Sequence, residues 1–234
     1  MKLGGLQKLT LIDYPGKVAC TVFSMGCNFK CPFCYSSELV IKEKMRQQTA
    51  LKEKDFFQFL NKRKGMLQAV VLCGGEMTLQ KDLLKFAKKI KDMGYLIKLD
   101  TNGSSPQVLK SLIHKRLLDY VALDVKAPLR QEKYDEAAGR AVDLRDIKKS
   151  IDLVKKSGID YEFRTTVVPT IHSKQDILDI ADALAPAKKY YLQNFRAEKN
   201  INPKFQNFKP YPLEFLEDIR KSVPSHSFEE FGIR

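Results

Sequence analysis

The chain has 234 residues, enough for one sizeable hydrophobic core and rather much for two. Its 41 Lys and Arg against 28 Asp and Glu give a formal charge of +13. The charges interleave with apolar residues at helical spacing, as in KEKDFFQFLNKRK, which marks a solvated amphipathic face and not by itself a nucleic-acid stripe.

No apolar run approaches the roughly 18 residues of a membrane helix, and the opening MKLGGLQKLTLIDYPGK lacks a signal-like apolar stretch. A cytoplasmic protein with reduced thiols and no membrane partner is therefore expected.

In chain order, β-branched apolar runs appear at 17–25 (KVACTVFSM), 68–73 (QAVVLC), 95–100 (YLIKLD), 119–125 (DYVALDV), 161–169 (YEFRTTVVP) and 189–195 (KYYLQNF). Helical stripes lie between them: Leu79, Leu83, Phe86 and Ile90, then Leu144, Ile147, Ile151 and Val154, then Ile177, Ala181 and Leu184. Gly94 and Gly158 are placed to end two of these helices.

Such alternation predicts a parallel sheet with crossover helices. About six units fit the length, short of the about 250 residues of a complete eight-unit barrel. The expected fold is α/β, a partial, open (β/α)6 TIM-like barrel; a doubly wound sheet would alternate in the same way. One domain, 1–234, is expected, with a core over about 17–196 and an extension over 197–234.

Each predicted strand leads into residues with chemical potential. The cysteines follow the first, Gly74, Gly75 and Glu76 the second, and Asp100, Thr101 and Asn102 the third. Asp124 and Lys126 stand at the fourth, Arg164 within the fifth, and Asn194 and Phe195 at the sixth. In parallel α/β sheets ligands bind at the carboxyl edge of the strands, where all of these would converge.

The cysteines are the sharpest signal. Cys27, Cys31 and Cys34 form C-x3-C-x2-C in one short loop, GCNFKCPFCYSSELV. Three clustered thiols cannot all pair, so a disulfide staple is a poor reading. Structural zinc needs a fourth ligand, from Cys20 or Cys73, and usually takes two separated ligand pairs. An iron–sulfur cluster on three thiolates would leave one iron open to a small molecule. Cys20, within a predicted strand, reads as packing.

The loop resembles the signature of the radical S-adenosylmethionine superfamily, C-x3-C-x-aromatic-C, with Phe33 in the aromatic slot. The wider stretch GLQKLTLIDYPGK…VFSMGCNFKCPFC…ELV is similar to the activating proteins of anaerobic ribonucleoside-triphosphate reductase, relatives of the pyruvate formate-lyase activating enzymes. The resemblance is densest over residues 3–40 and weakens after about residue 196. It implies a partial barrel of the radical SAM type, a 4Fe-4S cluster on the three cysteines and S-adenosylmethionine on the open iron. Reductive cleavage of that cofactor would give methionine and a 5′-deoxyadenosyl radical that takes hydrogen from the substrate.

The resemblance also implies roles for other residues. Gly74, Gly75 and Glu76 match a GGE stretch whose backbone lies along the methionine amino group. Asp100, Thr101 and Asn102 match a DTNG stretch, and Asp124 and Lys126 a D-x-K stretch. In the activating enzymes the two aspartates and the threonine hold a monovalent cation beside the cofactor carboxylate. Arg164 corresponds to a strand arginine near the cofactor's ribose and carboxylate. Asn194 and Phe195 fall where the family contacts adenine. Asp13, in IDYPG, resembles an aspartate bordering the substrate.

Tyr35 and Ser36 replace the His-Asn of the relatives, and GGEM replaces GGEP. These changes bear on cofactor contacts and partner choice, and none removes a cluster cysteine. His114, His172 and His226 read as solvated or locally satisfied. No RVxGY-type segment is present, so the expected role is activator: installing a glycyl radical on a partner enzyme, foremost anaerobic ribonucleotide reductase, with a flavodoxin- or ferredoxin-type reductant. The rivals are a radical enzyme acting on a small molecule such as a deazapurine precursor, and a zinc-stabilised basic nucleic-acid-binding module.

Overall fold

The computed structural model describes residues 1–234. Its eight strands are β1 (Leu3–Thr10), β2 (Ala19–Ser24), β3 (Ala69–Gly74), β4 (Leu96–Thr101), β5 (Tyr120–Asp124), β6 (Asp160–Val167), β7 (Ala187–Asn194) and β8 (Phe228–Ile233). They follow chain order in one sheet, with β1 and β8 as its edges. The pairs β2–β3, β3–β4, β6–β7 and β7–β8 are parallel, while β1 runs antiparallel to β2.

The six strands expected from the sequence are β2 to β7, and the sheet is an open α/β one as expected. The two edges escaped the pattern for a physical reason. In LGGLQKLT only the terminal residues are buried, and FEEFGI exposes two glutamates, so neither edge alternates as a half-buried strand should.

The helices are α1 (Ser37–Val40), α2 (Lys42–Arg46), α3 (Glu53–Lys62), α4 (Leu83–Asp92), α5 (Pro106–His114), α6 (Gln131–Ala138), α7 (Leu144–Lys155), α8 (Lys174–Leu184) and α9 (Leu213–Ser222). Most of the expected stripe residues are buried faces: Leu83, Phe86 and Ile90 on α4, Ile147, Ile151 and Val154 on α7, and Ile177, Ala181 and Leu184 on α8. Leu79 instead ends a separate short turn, Met77–Leu79, and is exposed, and Leu144, the first residue of α7, is only half-buried. Ser173 and Asp176 form a reciprocal capping box at the start of α8. Gly94 and Gly158 follow α4 and α7 with φ of +90° and +75°, as helix-ending glycines do. No helix is long and apolar enough to cross a membrane.

The chain divides into two compact units. The first comprises Met1–Asn28, Glu38–Thr101 and Gln107–Val121; the second comprises Phe29–Ser37, Asn102–Pro106 and Ala122–Arg234. In the first unit one sheet face carries Tyr14, Ala19, Ala69, Val71 and Tyr120, with Cys73 and Leu96 against them. In the same unit the rings of Phe56 and Phe86 stack at 5.3 Å between α3 and α4. In the second unit Tyr190 stacks on Phe231 at 5.2 Å, and its buried hydroxyl donates to Thr165 Oγ1 at 2.9 Å. Truncating a buried ring of this kind to alanine costs about 3–5 kcal/mol.

Candidate active site

The cysteine loop is held by backbone. In the first unit β3 ends on the glycine pair, and Gly75 N donates to Ser24 O at 2.9 Å and Glu76 N to Gly26 O at 2.8 Å. A Cβ on Gly75 would lie 2.1 Å from Gly26 O, so only glycine lets the two backbones meet. This seam fixes the residue before Cys27.

In the second unit two further seams hold the rest of the loop. Lys30 N donates to Ala138 O at 2.8 Å, and a Cβ on Gly139 would lie 2.1 Å from Lys30 O. Beyond it, Ile201 N donates to Cys34 O at 2.9 Å and Asn202 N to Pro32 O at 3.0 Å. Asn200 Nδ2 adds a bond to Phe33 O at 2.8 Å. Each cysteine therefore sits at or beside a separate anchor. Gly26, Gly139 and Asn200 were not singled out from the sequence. Gly139, ending α6 in the left-handed region, carried only the signal of a helix cap.

No disulfide is formed by Cys20, Cys27, Cys31, Cys34 or Cys73. Cys20 is buried in β2, and burial pushes its thiol up to about 12, which makes it an inert packing group. Cys73 packs on the apolar layer of the first unit. No three His, Cys, Asp or Glu side chains gather as a single metal ion requires. A four-iron cluster binds its thiolates at separate corners, and three cysteines within eight residues of the chain suit that donor set. Phe33 is buried beside them, while Tyr35 is 52% exposed.

The first unit places three of the expected carboxylates. Glu76 Oε1 accepts from Thr78 N at 3.0 Å, Thr78 Oγ1 at 2.6 Å and Thr101 Oγ1 at 2.8 Å. Its side chain is thus a buried clamp between the ends of β3 and β4. Asp100 accepts from the ammonium of Lys98, two residues earlier on the same strand face. Asp13 accepts from Thr21 Oγ1 at 2.6 Å.

In the second unit Asp124 Oδ1 accepts from Arg164 Nε at 2.8 Å and Oδ2 from Lys126 Nζ at 3.1 Å. Burial acts to raise the Asp124 carboxyl, but the guanidinium and ammonium outweigh it and hold it well below the usual carboxylate range. Burial likewise opposes the Lys126 charge, and Asp124 with the Cys31 sulfur overcomes it, holding the ammonium above its ordinary range. Arg164 thus has an acidic partner within the protein.

Lys126 is also held from behind. Val168 N donates to His172 Nδ1 at 3.0 Å, so Nε2 carries the hydrogen and donates to Lys126 O at 2.8 Å. Burial pulls the imidazole down to about 4. His172 is locally satisfied, as expected, and its ring braces the backbone at Lys126.

The remaining candidates are occupied by local structure. Asn102 Oδ1 accepts from Ser104 N at 3.0 Å. Asn194 spans Tyr211 O, at 2.8 Å, and Phe195 N, at 2.9 Å. Phe195 is buried and meets Phe205 edge-on at 6.2 Å.

The family model for the radical SAM superfamily matches residues 21–184. Among curated proteins, a "Putative glycyl-radical enzyme activating enzyme" of Methanocaldococcus jannaschii is 36% identical over 91% of this chain and 87% of its own length. A second protein of that name and organism is 28% identical over 94% and 86%. A 7-carboxy-7-deazaguanine synthase of Thermococcus kodakarensis is 26% identical over 57% of each chain.

Among solved structures, Streptococcus suis SuiB bound to S-adenosylmethionine superposes with a TM-score of 0.68 at 18% identity. That match covers 90% of this chain and 48% of SuiB, a likeness of fold.

Proposed function

Because this chain belongs to the radical S-adenosylmethionine superfamily, we propose that it is an activating enzyme that installs a glycyl radical on a partner, foremost anaerobic ribonucleoside-triphosphate reductase. The observation that carries this reading is the 36% identity, across 91% of the chain, to a relative bearing the activating-enzyme name. The ribonucleotide reductase assignment rests on the sequence resemblance of residues 3–40.

In this reading Cys27, Cys31 and Cys34 hold a 4Fe-4S cluster with one iron left for S-adenosylmethionine. Together these groups supply reductive cleavage of a sulfonium–carbon bond and an organic radical for hydrogen abstraction. The protein's part is placement. The Gly75 and Gly139 seams fix where the thiolates stand. Lys126, whose ammonium Asp124 and the Cys31 sulfur hold above its ordinary range, adds positive charge to this part of the second unit. Asp124 and Arg164 present a matched acid–base pair on which a zwitterionic cofactor can lodge without leaving a bare charge in the protein.

A glycine Cα is a suitable target, because the radical formed there is stabilised by both flanking peptide groups. The formal +13 charge would speed encounter with an acidic partner, an effect that salt screens. A flavodoxin- or ferredoxin-type protein would supply the electron.

The test is electron paramagnetic resonance on the reduced protein, S-adenosylmethionine and each glycyl-radical enzyme of the same cell. A protein-based doublet with the ribonucleotide reductase supports the full reading. A doublet only with another enzyme keeps the activity and changes the partner. Cofactor cleavage without any doublet turns the reading toward a small-molecule substrate.

A further inference from the structure

Lys98 lies in the middle of β4 and is 1% exposed. A lysine so placed in a strand needs a reason, since burying an ammonium is unfavourable unless it is paired. The sheet register pairs it with Val71, on the face where Tyr14, Ala19, Ala69, Val71 and Tyr120 form the apolar layer. Its Nζ stands 5.9 Å from the centre of the Tyr120 ring and bonds Asp100 Oδ1. The aromatic face and the carboxylate together hold one positive charge within the strand.

Thr101 points to the other face of β4 and gives its hydroxyl to Glu76 at 2.8 Å. The stretch expected to offer a monovalent metal cation one carboxylate and one hydroxyl therefore offers neither freely. The carboxylate already carries an ammonium, and the hydroxyl is turned onto Glu76. A hard cation needs several oxygen donors with uncompensated charge, and this donor set does not fit one.

We propose that the Lys98 ammonium takes the place of a monovalent metal cation beside Asp100, so that this chain binds its cofactor without one. A tethered charge has an effective concentration that no dissolved ion matches, and it cannot be exchanged by changing the salt. The consequence for the cofactor rests on the reading that Asp100 borders it. The identity of the charge on Asp100 does not.

The experiment uses anaerobically reconstituted protein with S-adenosylmethionine, at one ionic strength, in potassium, sodium or tetramethylammonium chloride. Thallium-205 NMR reports a bound monovalent ion, and equilibrium dialysis reports cofactor affinity. The wild type is expected to show no saturable thallium site and the same cofactor affinity in all three salts. Lys98→Met is expected to gain a thallium site and to bind cofactor about tenfold more weakly in tetramethylammonium than in potassium. Lys98→Arg, which keeps the charge, should gain no thallium site.

A saturable thallium site in the wild type, or a wild-type affinity that differs about tenfold between salts, overturns the proposal. So does a folded Lys98→Met protein that matches the wild type in both measurements. If Lys98→Met does not fold, the wild-type salt comparison decides alone. Asp100→Asn with unchanged cofactor affinity would remove Asp100 from the cofactor site, leaving the thallium result to judge Lys98.

Discussion

Gly139 meets the cysteine loop through its bare Cα: an added Cβ would stand 2.1 Å from the carbonyl oxygen of Lys30, the residue before Cys31. Such an overlap cannot be relieved by a rotamer change, because both partners are backbone. The loop and the residue that ends α6 must move apart together.

Gly139→Ala is therefore expected to lower stability by about 2–5 kcal/mol, the left-handed backbone cost plus that of the overlap, and to reduce iron retained after reconstitution. Gly158→Ala is the control. Gly158 has a similar φ, +75°, but nothing within 4 Å of an added Cβ. It should show only the left-handed backbone cost of about 1–2 kcal/mol, with wild-type iron content. Urea melts and iron assays on both variants check this.

Alanine at Cys27, Cys31 or Cys34 is expected to abolish the visible absorption of the reconstituted protein and its cleavage of S-adenosylmethionine. Cys73→Ala should retain both, and Cys20→Ala should retain both at a stability cost of about 1 kcal/mol for a small buried cavity. Loss of the chromophore in Cys73→Ala would point to a four-thiolate site.

How much of this was legible beforehand follows the range of each signal. The strands from β2 to β7 and the cysteine spacing are local patterns, and both could be read directly. Lys98 could not be weighed, because a lysine two residues before an aspartate becomes a buried pair only when the strand register encloses it. The anchor at Asn200–Asn202 is set by bonds to residues more than 160 positions away, for which a single sequence holds no cue. The cation role of Thr101 came from the resemblance alone, and a motif does not convey that strand alternation turns Asp100 and Thr101 to opposite faces.

His172 gives a pH dependence with a definite sign. Its imidazole titrates at about 4 when folded, below the ordinary value of 6.5. The folded state thus binds fewer protons than the unfolded chain between these values, and stability falls as pH drops through that window. The contribution is fully present above pH 6.5, with about 3 kcal/mol lost by pH 4. His172→Gln should flatten this part of the profile in urea melts taken from pH 7.5 to 4.5. A slope unchanged by the substitution would assign the dependence to other groups.

Asp124→Ala leaves Lys126 and Arg164 without their shared carboxylate. Cofactor affinity is expected to fall about tenfold or more, with iron content near wild type, since none of the three loop anchors uses Asp124. Equilibrium dialysis against an iron assay separates the two effects. A parallel loss of iron would make Asp124 a support of the cluster instead.

The most direct test of the activating-enzyme reading follows the hydrogen atom itself. The ribonucleotide reductase of the same cell, labelled with Cα-deuterated glycine, is incubated anaerobically with the reduced protein and S-adenosylmethionine, and the 5′-deoxyadenosine formed is analysed by mass spectrometry. The account predicts deuterium in that product in proportion to the glycyl radical observed. Cofactor cleavage with no deuterium transferred, from this partner or any other glycyl-radical enzyme of that cell, would contradict it.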